Sequence, residues 1–496
     1  MRAVPAPAND RATAARRNTS DRRTRSVWLA GAWLLVAPTW LAFSGGGFDT
    51  DRQLVALAGT LVVLALLAAT APRSLGVRGL SLVSSILFAA LVAWTAVSVA
   101  WAPIADAAVG DSERLLLYLA VFVAALLVMG VEALRRAAPV VLLAGCVVVA
   151  AYALAGRTLP DLVPVAASTR AFERLSQPLG YWNAMGILMA LGAALALAVA
   201  GDHDRSHRLR SLAAGAAVPC GVALYLTFSR GALLALLAAL VVLAALRPRK
   251  GIAAAAALAG VGAGALALAA QGFPAVLRLD QGRAEQVSQG ARFILMVGAV
   301  TVVVAVVYRL VLRAPGIDHD LGVPRRLRIA VGVVTVLALL GASLALAFKP
   351  QTAEPLPTSE GRLAELRTNR GAYWEVALEG FAARPLVGGG SGSFRVDWRR
   401  EREIEESVME AHSLYIETLA ELGLVGTALL AAFLGTGVVG LVRLGRRRPG
   451  DPLLLAATAV LVAFAIHAGV DWDWEMPAVT LVALLLLAAV LRAQEA

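Results

Sequence analysis

One short stretch, EAHSLYIETLAELGLVG at residues 410–426, places polar side chains directly before an apolar run typical of a membrane helix. Its His412 is a candidate general base, because a neutral imidazole accepts protons near pH 7. Ser413, Glu417 and Glu421 follow at a spacing of four and share one face of a predicted helix. The two glutamates have three interpretations: they orient His412, pair with arginines, or line the mouth of a site. Charges near a membrane helix cost free energy, which favours a function for this cluster.

Two arginines have the placement expected of anion-binding residues. Arg230 lies in the short turn TFSRGA between two apolar runs, where Ser229 is a predicted cap of the second helix. A guanidinium beside a helix N-terminus is a good phosphate site, although such an arginine can also extend to lipid headgroups. Arg370 begins a predicted amphipathic helix over residues 370–383, which Pro385 and the run GGGSG bring to an end. That helix either presents Arg370 to a lipid phosphate at the membrane surface or is an ordinary loop helix.

Carboxylates occur in two D-x-D patterns: Asp49 with Asp51, and Asp471 with Asp473 beside Glu475. Paired carboxylates can hold a divalent metal, but the spacing alone is weak evidence. Exclusion of acids from cytoplasmic loops, and an interfacial tryptophan belt in DWDWEMP, explain the same residues. The mixed charge run WRREREIEES is interpreted as a solvated face, and GGGSG as a turn, because no lysine follows it.

Composition fixes the environment in which these residues act. The 496-residue chain is 59% hydrophobic with a mean hydropathy of +0.73, and its apolar runs are of membrane-spanning length. The net charge of +11 is scattered in short clusters between these runs, so it predicts contact with anionic lipid headgroups and not with nucleic acid. Cys146 and Cys220 lie inside apolar runs and are predicted packing residues.

The apolar runs predict an all-α, polytopic transmembrane bundle of about 12–14 spans with one large extracytoplasmic loop. The candidate spans are 27–43, 53–71, 80–100, 114–130, 138–156, 181–200, 211–228, 231–246, 251–270, 291–312, 328–348, 422–442, 453–470 and 477–492. The implied organisation is a cytoplasmic N-terminal tail (1–26), eleven spans (27–348), the large loop with a short amphipathic helix (349–413), three spans (414–492) and a cytoplasmic C-terminus (493–496).

Lysine and arginine set the predicted orientation. If the Arg-rich N-terminus is cytoplasmic, every second loop, such as VEALRRA and GRRRPGD, is cytoplasmic as well, and each of these carries Arg or Lys. The intervening short loops SGGGFDTDR and DWDWEMP are acidic or poor in arginine. This topology places His412, Arg230, Arg370 and the DWDWEMP turn on the same, extracytoplasmic side.

Three pieces in chain order resemble the O-antigen ligase and polymerase family of bacterial envelope enzymes: TFSRGALLAL, RGAYWEVALEGF with its trailing RPLVGGGSGSF, and AHSLYIETLAELGLVG. RLSQPLGYWNAMG and HAGVDWDWEMPA look like accompanying features. The similarity is clearest from about residue 170 to 480, and the order of elements matches over the whole chain.

The resemblance implies a metal-independent, inverting glycosyltransferase without a cofactor, in the bacterial cytoplasmic membrane, with its active site facing outside. The donor would be a glycan on undecaprenyl diphosphate, and the acceptor a hydroxyl of another glycan or lipid. By motif position, Arg230 and Arg370 would bind the diphosphate and His412 would activate the acceptor. The further candidate substrate-binding residues are Arg174, Tyr181, Asn183, Glu417 and Asp471.

Two other functions compete with this interpretation. A metal-dependent glycosyltransferase that uses polyprenyl-phosphate sugars would rely on Asp49 and Asp51. A transporter of lipid-linked glycans would carry paired charges at mid-membrane and often inverted repeats, whereas the charges here concentrate in outer loops and at helix ends. Ligation and polymerisation are not distinguished by the sequence.

Overall fold

The computed structural model describes residues 8–70, 76–165, 171, 173–247, 249–322, 324, 326–328, 330–335, 341 and 368–496. Numbered in chain order over these residues, the α-helices are α1 (Ala8–Ala42), α2 (Thr50–Thr70), α3 (Gly79–Ser98), α4 (Ala105–Val128), α5 (Glu132–Thr158), α6 (Trp182–Ala200), α7 (His207–Leu226), α8 (Arg230–Leu246), α9 (Lys250–Ala270), α10 (Pro274–Leu277), α11 (Arg283–Val311), α12 (Arg370–Ala383), α13 (Phe394–Glu401), α14 (Leu414–Arg447), α15 (Pro452–Ala468) and α16 (Pro477–Ala493). Short 3₁₀ turns at Gly45–Gly47 and Asp473–Glu475 complete the described elements.

The predicted all-helical membrane bundle is confirmed. Within the described residues, eight helices are long and apolar enough to cross a membrane: α2, α3, α5, α6, α7, α9, α11 and α14. The apolar helices α8, α15 and α16 are shorter, and each coincides with a predicted span. The predicted span 328–348 and the first part of the large loop lie mostly outside the described residues. Helix α1 joins the described part of the predicted tail to the first predicted span without a break at residue 26.

Helices α6 and α16 form the centre of the bundle. Every residue of α16 is buried, and so is every residue of α6 after Trp182. Small residues permit this close packing: a Cβ at Gly192 of α6 would meet the side chains of Cys146 and Cys220 at 2.8 and 3.1 Å. The two cysteines are therefore packing residues, as predicted. Both central helices begin at the same end of the bundle, which we call the site end.

The described part of the large loop folds against the first turns of α14. Its small core contains the fully buried side chains of Trp374 in α12 and Trp398 in α13, together with Tyr373 and Phe394. Tyr373 and Trp398 meet edge to face at 5.0 Å between ring centroids. The predicted helix over 370–383 is thus confirmed, but its aromatic side packs into protein and not into a membrane surface.

Candidate active site

A cavity of about 310 Å³ opens at the site end of the bundle and collects most of the predicted site residues. Six of them line it: Arg174, Tyr181, Asn183, Arg230, Arg370 and His412. They come from three separate parts of the chain, namely the segment before α6, the turn before α8 and the ends of the large loop. The motifs that were predicted to share one side of the membrane therefore meet at a single cavity.

Three helices begin at this cavity, and the first residue of each contributes to its wall. These residues are Trp182 of α6, Arg230 of α8 and Arg370 of α12. Ser229 caps α8 by accepting a hydrogen bond from the amide of Ala232 at 3.3 Å, as predicted. Helix N-termini carry partial positive charge and unpaired amide N–H groups, so three of them beside arginines create a strong preference for an anion.

Asp471 lies beneath the cavity and is fully buried. One carboxylate oxygen accepts hydrogen bonds from Arg370 Nη2 at 2.5 Å and from Asn183 Nδ2 at 2.7 Å, and the other accepts from the Tyr181 hydroxyl at 2.6 Å. Burial alone would raise the pKa of Asp471, but Arg370 and these donors hold it below its usual value. Asp471 therefore stays ionised and fixes three cavity side chains at once.

The guanidinium of Arg370 retains hydrogen-bonding capacity. Its Nη2 is held by Asp471, whereas its Nε is buried and has no hydrogen-bond partner in the part of the chain that the structure describes. Arg174 lies across the cavity with its guanidinium carbon 4.6 Å from the ring centre of Trp182, in a cation–π contact. A buried guanidinium N–H without a partner is costly, which favours an oxygen-rich anion in this cavity.

His412 occupies a strained backbone conformation at the rim of the cavity. Among the non-glycine residues that the structure describes, two have a positive φ: His412 at 55° and Phe228 at 50°. Both residues line the cavity. Such backbone angles cost on the order of 1–3 kcal/mol and cluster at functional sites. Nδ1 of His412 lies 2.9 Å from the carbonyl oxygen of Glu410; because a carbonyl only accepts, Nδ1 carries the proton and Nε2 is the free acceptor.

Glu417 and Glu421 lie outside this cavity and face a small neighbouring one. Glu417 accepts a hydrogen bond from the amide of Ala411 at 2.7 Å, immediately before His412. Glu421 accepts from the amides of Gly392 and Phe394 at 2.9 and 3.1 Å. Of the three interpretations given to these glutamates, the geometry favours orientation of the His412 segment for Glu417, whereas Glu421 holds an earlier part of the loop. The sequence alone did not distinguish the three interpretations, because the hydrogen-bond partners of both glutamates are backbone amides of the loop.

The charge run WRREREIEES is not a uniformly solvated face, and this interpretation was wrong for two of its residues. Trp398 is fully buried, and Glu406 lines the cavity. Glu406 accepts hydrogen bonds from the Tyr373 hydroxyl at 2.6 Å and from Asn369 Nδ2 at 2.7 Å. Its burial depends on α12 packing against α13, which the local charge pattern does not reveal.

The carboxylates proposed for the metal-dependent alternative do not line the cavity. Asp51 is exposed beside Arg52, and Asp49 is exposed immediately before α2. Among the described residues, the group of side chains close enough to share a metal consists of Asp202, His203 and Asp204. It follows the end of α6, at the opposite end of the bundle from the cavity.

Comparison with known families supports one of these interpretations over part of the chain. Residues 296–431 match the family model described as O-Antigen ligase. The chain resembles the O-antigen ligases, as predicted. The O-antigen ligase match contains Arg370 and His412, whereas Arg230 precedes it and Asp471 follows it. Comparison with curated proteins gives no match. The match to this family model supports an interpretation as membrane glycan transfer with lipid-linked glycans as substrates.

Proposed function

We propose that the protein transfers a glycan from undecaprenyl diphosphate to an acceptor hydroxyl on the outer side of the bacterial cytoplasmic membrane. The observation that carries the proposal is the convergence of three arginines, three helix N-termini and one histidine on a single cavity. The arginines and helix ends favour a diphosphate, and the histidine supplies a base. The reaction is metal-independent and inverting, as the family resemblance implies.

The donor diphosphate binds between Arg230 and Arg370, with Arg174 also on the wall of the cavity. Guanidinium groups hold phosphate oxygens through paired hydrogen bonds and keep their charge at every physiological pH. The Nε of Arg370 has no hydrogen-bond partner among the described residues, so this residue keeps a donor that Asp471 does not use. Asp471 keeps Arg370 in position, and Arg174 and Arg230 lie on the same cavity.

His412 takes the proton from the acceptor. Burial lowers the pKa of His412 below its ordinary value, with Asp471 opposing this shift, so the imidazole is neutral at pH 7. In the proposed step, the acceptor oxygen bonds to the anomeric carbon while the bond from that carbon to the diphosphate oxygen breaks. The hydroxyl proton moves to Nε2 of His412, and the electron pair leaves with the diphosphate, whose growing charge the arginines stabilise. A single displacement inverts the anomeric centre.

The test is glycan transfer by purified protein supplied with a lipid-linked glycan donor and an acceptor. We expect Arg230→Ala, Arg370→Ala and His412→Ala each to abolish transfer while membrane insertion is unchanged. Arg370→Lys should restore activity only in part, because lysine loses the two-pronged contact. The matched control is Arg399→Ala, an exposed residue of the same large loop.

Three outcomes would contradict parts of the proposal. Full activity of His412→Ala would remove the general base. Loss of activity on chelation, together with loss in Asp49→Ala, would favour the metal-dependent alternative. Unchanged transfer in both arginine variants would show that the cavity does not bind the donor. Glycan profiling of a deletion strain then separates the two reaction types: short polymer indicates polymerisation, and intact polymer left on its carrier indicates ligation.

A further inference from the structure

A second cavity, of about 760 Å³, lies at the opposite end of the bundle from the candidate active site. It is bordered by the last residues of α8, the last turns of α14 and the first turns of α15. Positive-inside topology places this end on the cytoplasmic side. The cavity shares no lining residue with the candidate active site.

The walls of this cavity separate into an apolar and a cationic part. The apolar part runs along the spanning helices and includes Val438, Leu441, Val442, Leu454, Leu455 and Val462. Val438 and Val442 are 62% and 46% exposed, so this part faces the lipid-filled side of the bundle. The cationic part is formed by Arg247, Arg249, Arg328 and Arg446, with Asp320 as the acidic member of the lining.

The four arginines give this lining an excess of positive charge over the single aspartate. Over the residues that the structure describes, none of them has a carboxylate oxygen within 4.0 Å, Asp320 included. Arg247 donates to the carbonyl oxygen of Pro449 at 3.1 Å, and Arg249 contacts the ring of His203 at 2.8 Å.

Arg328 contributes the clearest hydrogen-bond donors of this lining. Its Nε and Nη1 are buried and have no hydrogen-bond partner within the described part of the chain. Leaving buried N–H groups of a charged side chain unsatisfied costs more than leaving neutral ones, so an acceptor beside them would stabilise this arrangement. A phosphate oxygen is the acceptor that arginine clusters bind best.

We propose that this cavity binds one anionic glycerophospholipid of the cytoplasmic leaflet. Its phosphate lies among Arg247, Arg328 and Arg446, and its acyl chains follow the apolar wall of α14. The charge excess of the lining selects an anionic headgroup over a zwitterionic one. The exposed valines give the chains a surface that a free phosphate ion cannot use. The site stands independently of the proposed glycan transfer, because it shares none of its residues.

The test is native mass spectrometry of the full-length protein in detergent with added lipids of matched acyl chains. We expect one phosphatidylglycerol to be retained in preference to phosphatidylcholine. Arg328→Gln and Arg446→Gln should each lower that occupancy about fivefold, from about 1 kcal/mol per arginine near a headgroup. Arg313→Gln, an exposed arginine beyond the end of α11 and outside the cavity, is the matched control and should bind normally.

The possible outcomes separate the sources of the anion. Equal retention of the two lipids by the wild-type protein, or equal losses in Arg313→Gln and Arg328→Gln, would overturn the proposal in favour of unspecific lipid contact. Displacement of the lipid by millimolar inorganic phosphate would overturn it in favour of a free-anion site. Weaker binding of a short-chain phosphatidylglycerol than of the long-chain form would support the role of the apolar wall.

Discussion

At the scale of single residues, Asp471 explains how distant motifs form one site. It bonds Arg370 across 101 positions of the chain and Asn183 across 288. The family resemblance selected Arg370 and Asn183 as site candidates, and the D-x-D pattern drew attention to Asp471. The sequence did not show that Asp471 holds the others, since nothing local relates the DWDWEMP turn to the entrance of α6. Asp471 is therefore better described as a positioning residue than as a substrate contact.

We expect Asp471→Asn to reduce transfer strongly without abolishing folding. The amide keeps the size of the carboxylate but loses the charge-assisted hydrogen bond to Arg370. Such a bond contributes about 1.5–3 kcal/mol, so the rate of transfer should fall on the order of 10- to 100-fold. The measurement is kcat/KM for the lipid-linked donor, with Asp49→Asn on the first outer loop as control. Combination with Arg370→Lys should be less than additive, because both changes break one contact. Strict additivity would show that the two residues act separately.

The pH dependence of transfer should report His412. The base works in its neutral form, so activity is lost as pH falls through its pKa. Burial lowers that pKa below the ordinary value of 6.5, and the acidic limb of the rate profile should therefore lie below pH 6.5. Initial rates between about pH 5 and 8 measure it. The limb should move further down in Asp471→Asn, which removes the carboxylate that raises the pKa of His412. A limb above pH 6.5 would assign the titration to another group.

At the scale of elements, the decisive feature is the break in α14 at Gly423. Its φ and ψ of 63° and −163° are accessible essentially to glycine alone. The break frees backbone groups that the large loop then uses: the amide of Gly390 donates to the carbonyl of Glu421 at 2.8 Å, and the amide of Leu424 donates to that of Pro385 at 2.9 Å. On the other side, Trp94 of α3 donates to the carbonyl of Leu422 at 3.0 Å. The loop that carries His412 is thereby attached to a rigid helix.

We expect Gly423→Ala to disrupt the contact between the large loop and α14. A Cβ at this position would lie 2.4 Å from the carbonyl oxygen of Leu386, which is backbone and cannot move aside, and alanine rarely adopts the required angles. Thermal unfolding in detergent should shift down and glycan transfer should fall. The control is Gly435→Ala in the same helix, where a Cβ meets nothing within 4 Å and the helix should be unchanged or slightly more stable. Equal behaviour of the two variants would argue against the break as the anchor.

The difference between what the sequence did and did not predict at this scale has a physical reason. Membrane spans follow from local apolar runs, so the predicted spans from 27–43 to 291–312 and from 422–442 onward coincide with helices. The break at Gly423 depends on the approach of Leu386, and the role of Glu421 depends on the amides of Gly392 and Phe394. These contacts join segments about 30 residues apart, and no periodic pattern records them.

At the scale of the whole molecule, the bundle has two chemically different ends. Helices α6, α8 and α16 begin at the site end, where Arg230 and Asp471 lie, and finish at the opposite end, where Arg247 and Arg446 border the second cavity. The alternation of charge along the sequence predicted this separation, because the positive-inside rule needs only loop composition. The same alternation did not predict that each end contains a cavity, which depends on how the helices pack.

Accessibility of introduced cysteines tests which end faces outside. In intact cells or spheroplasts, a membrane-impermeant maleimide should label Arg399→Cys in the large loop but label Arg313→Cys, beyond the end of α11, only after permeabilisation. Both arginines are exposed, so the two introduced cysteines are equally accessible within the protein. The native Cys146 and Cys220 are only 3% and 0% exposed, so their background labelling should be low. The reverse pattern would place the His412 cavity in the cytoplasm, where a translocated lipid-linked donor could not reach it, and would overturn the proposed outward-facing transfer.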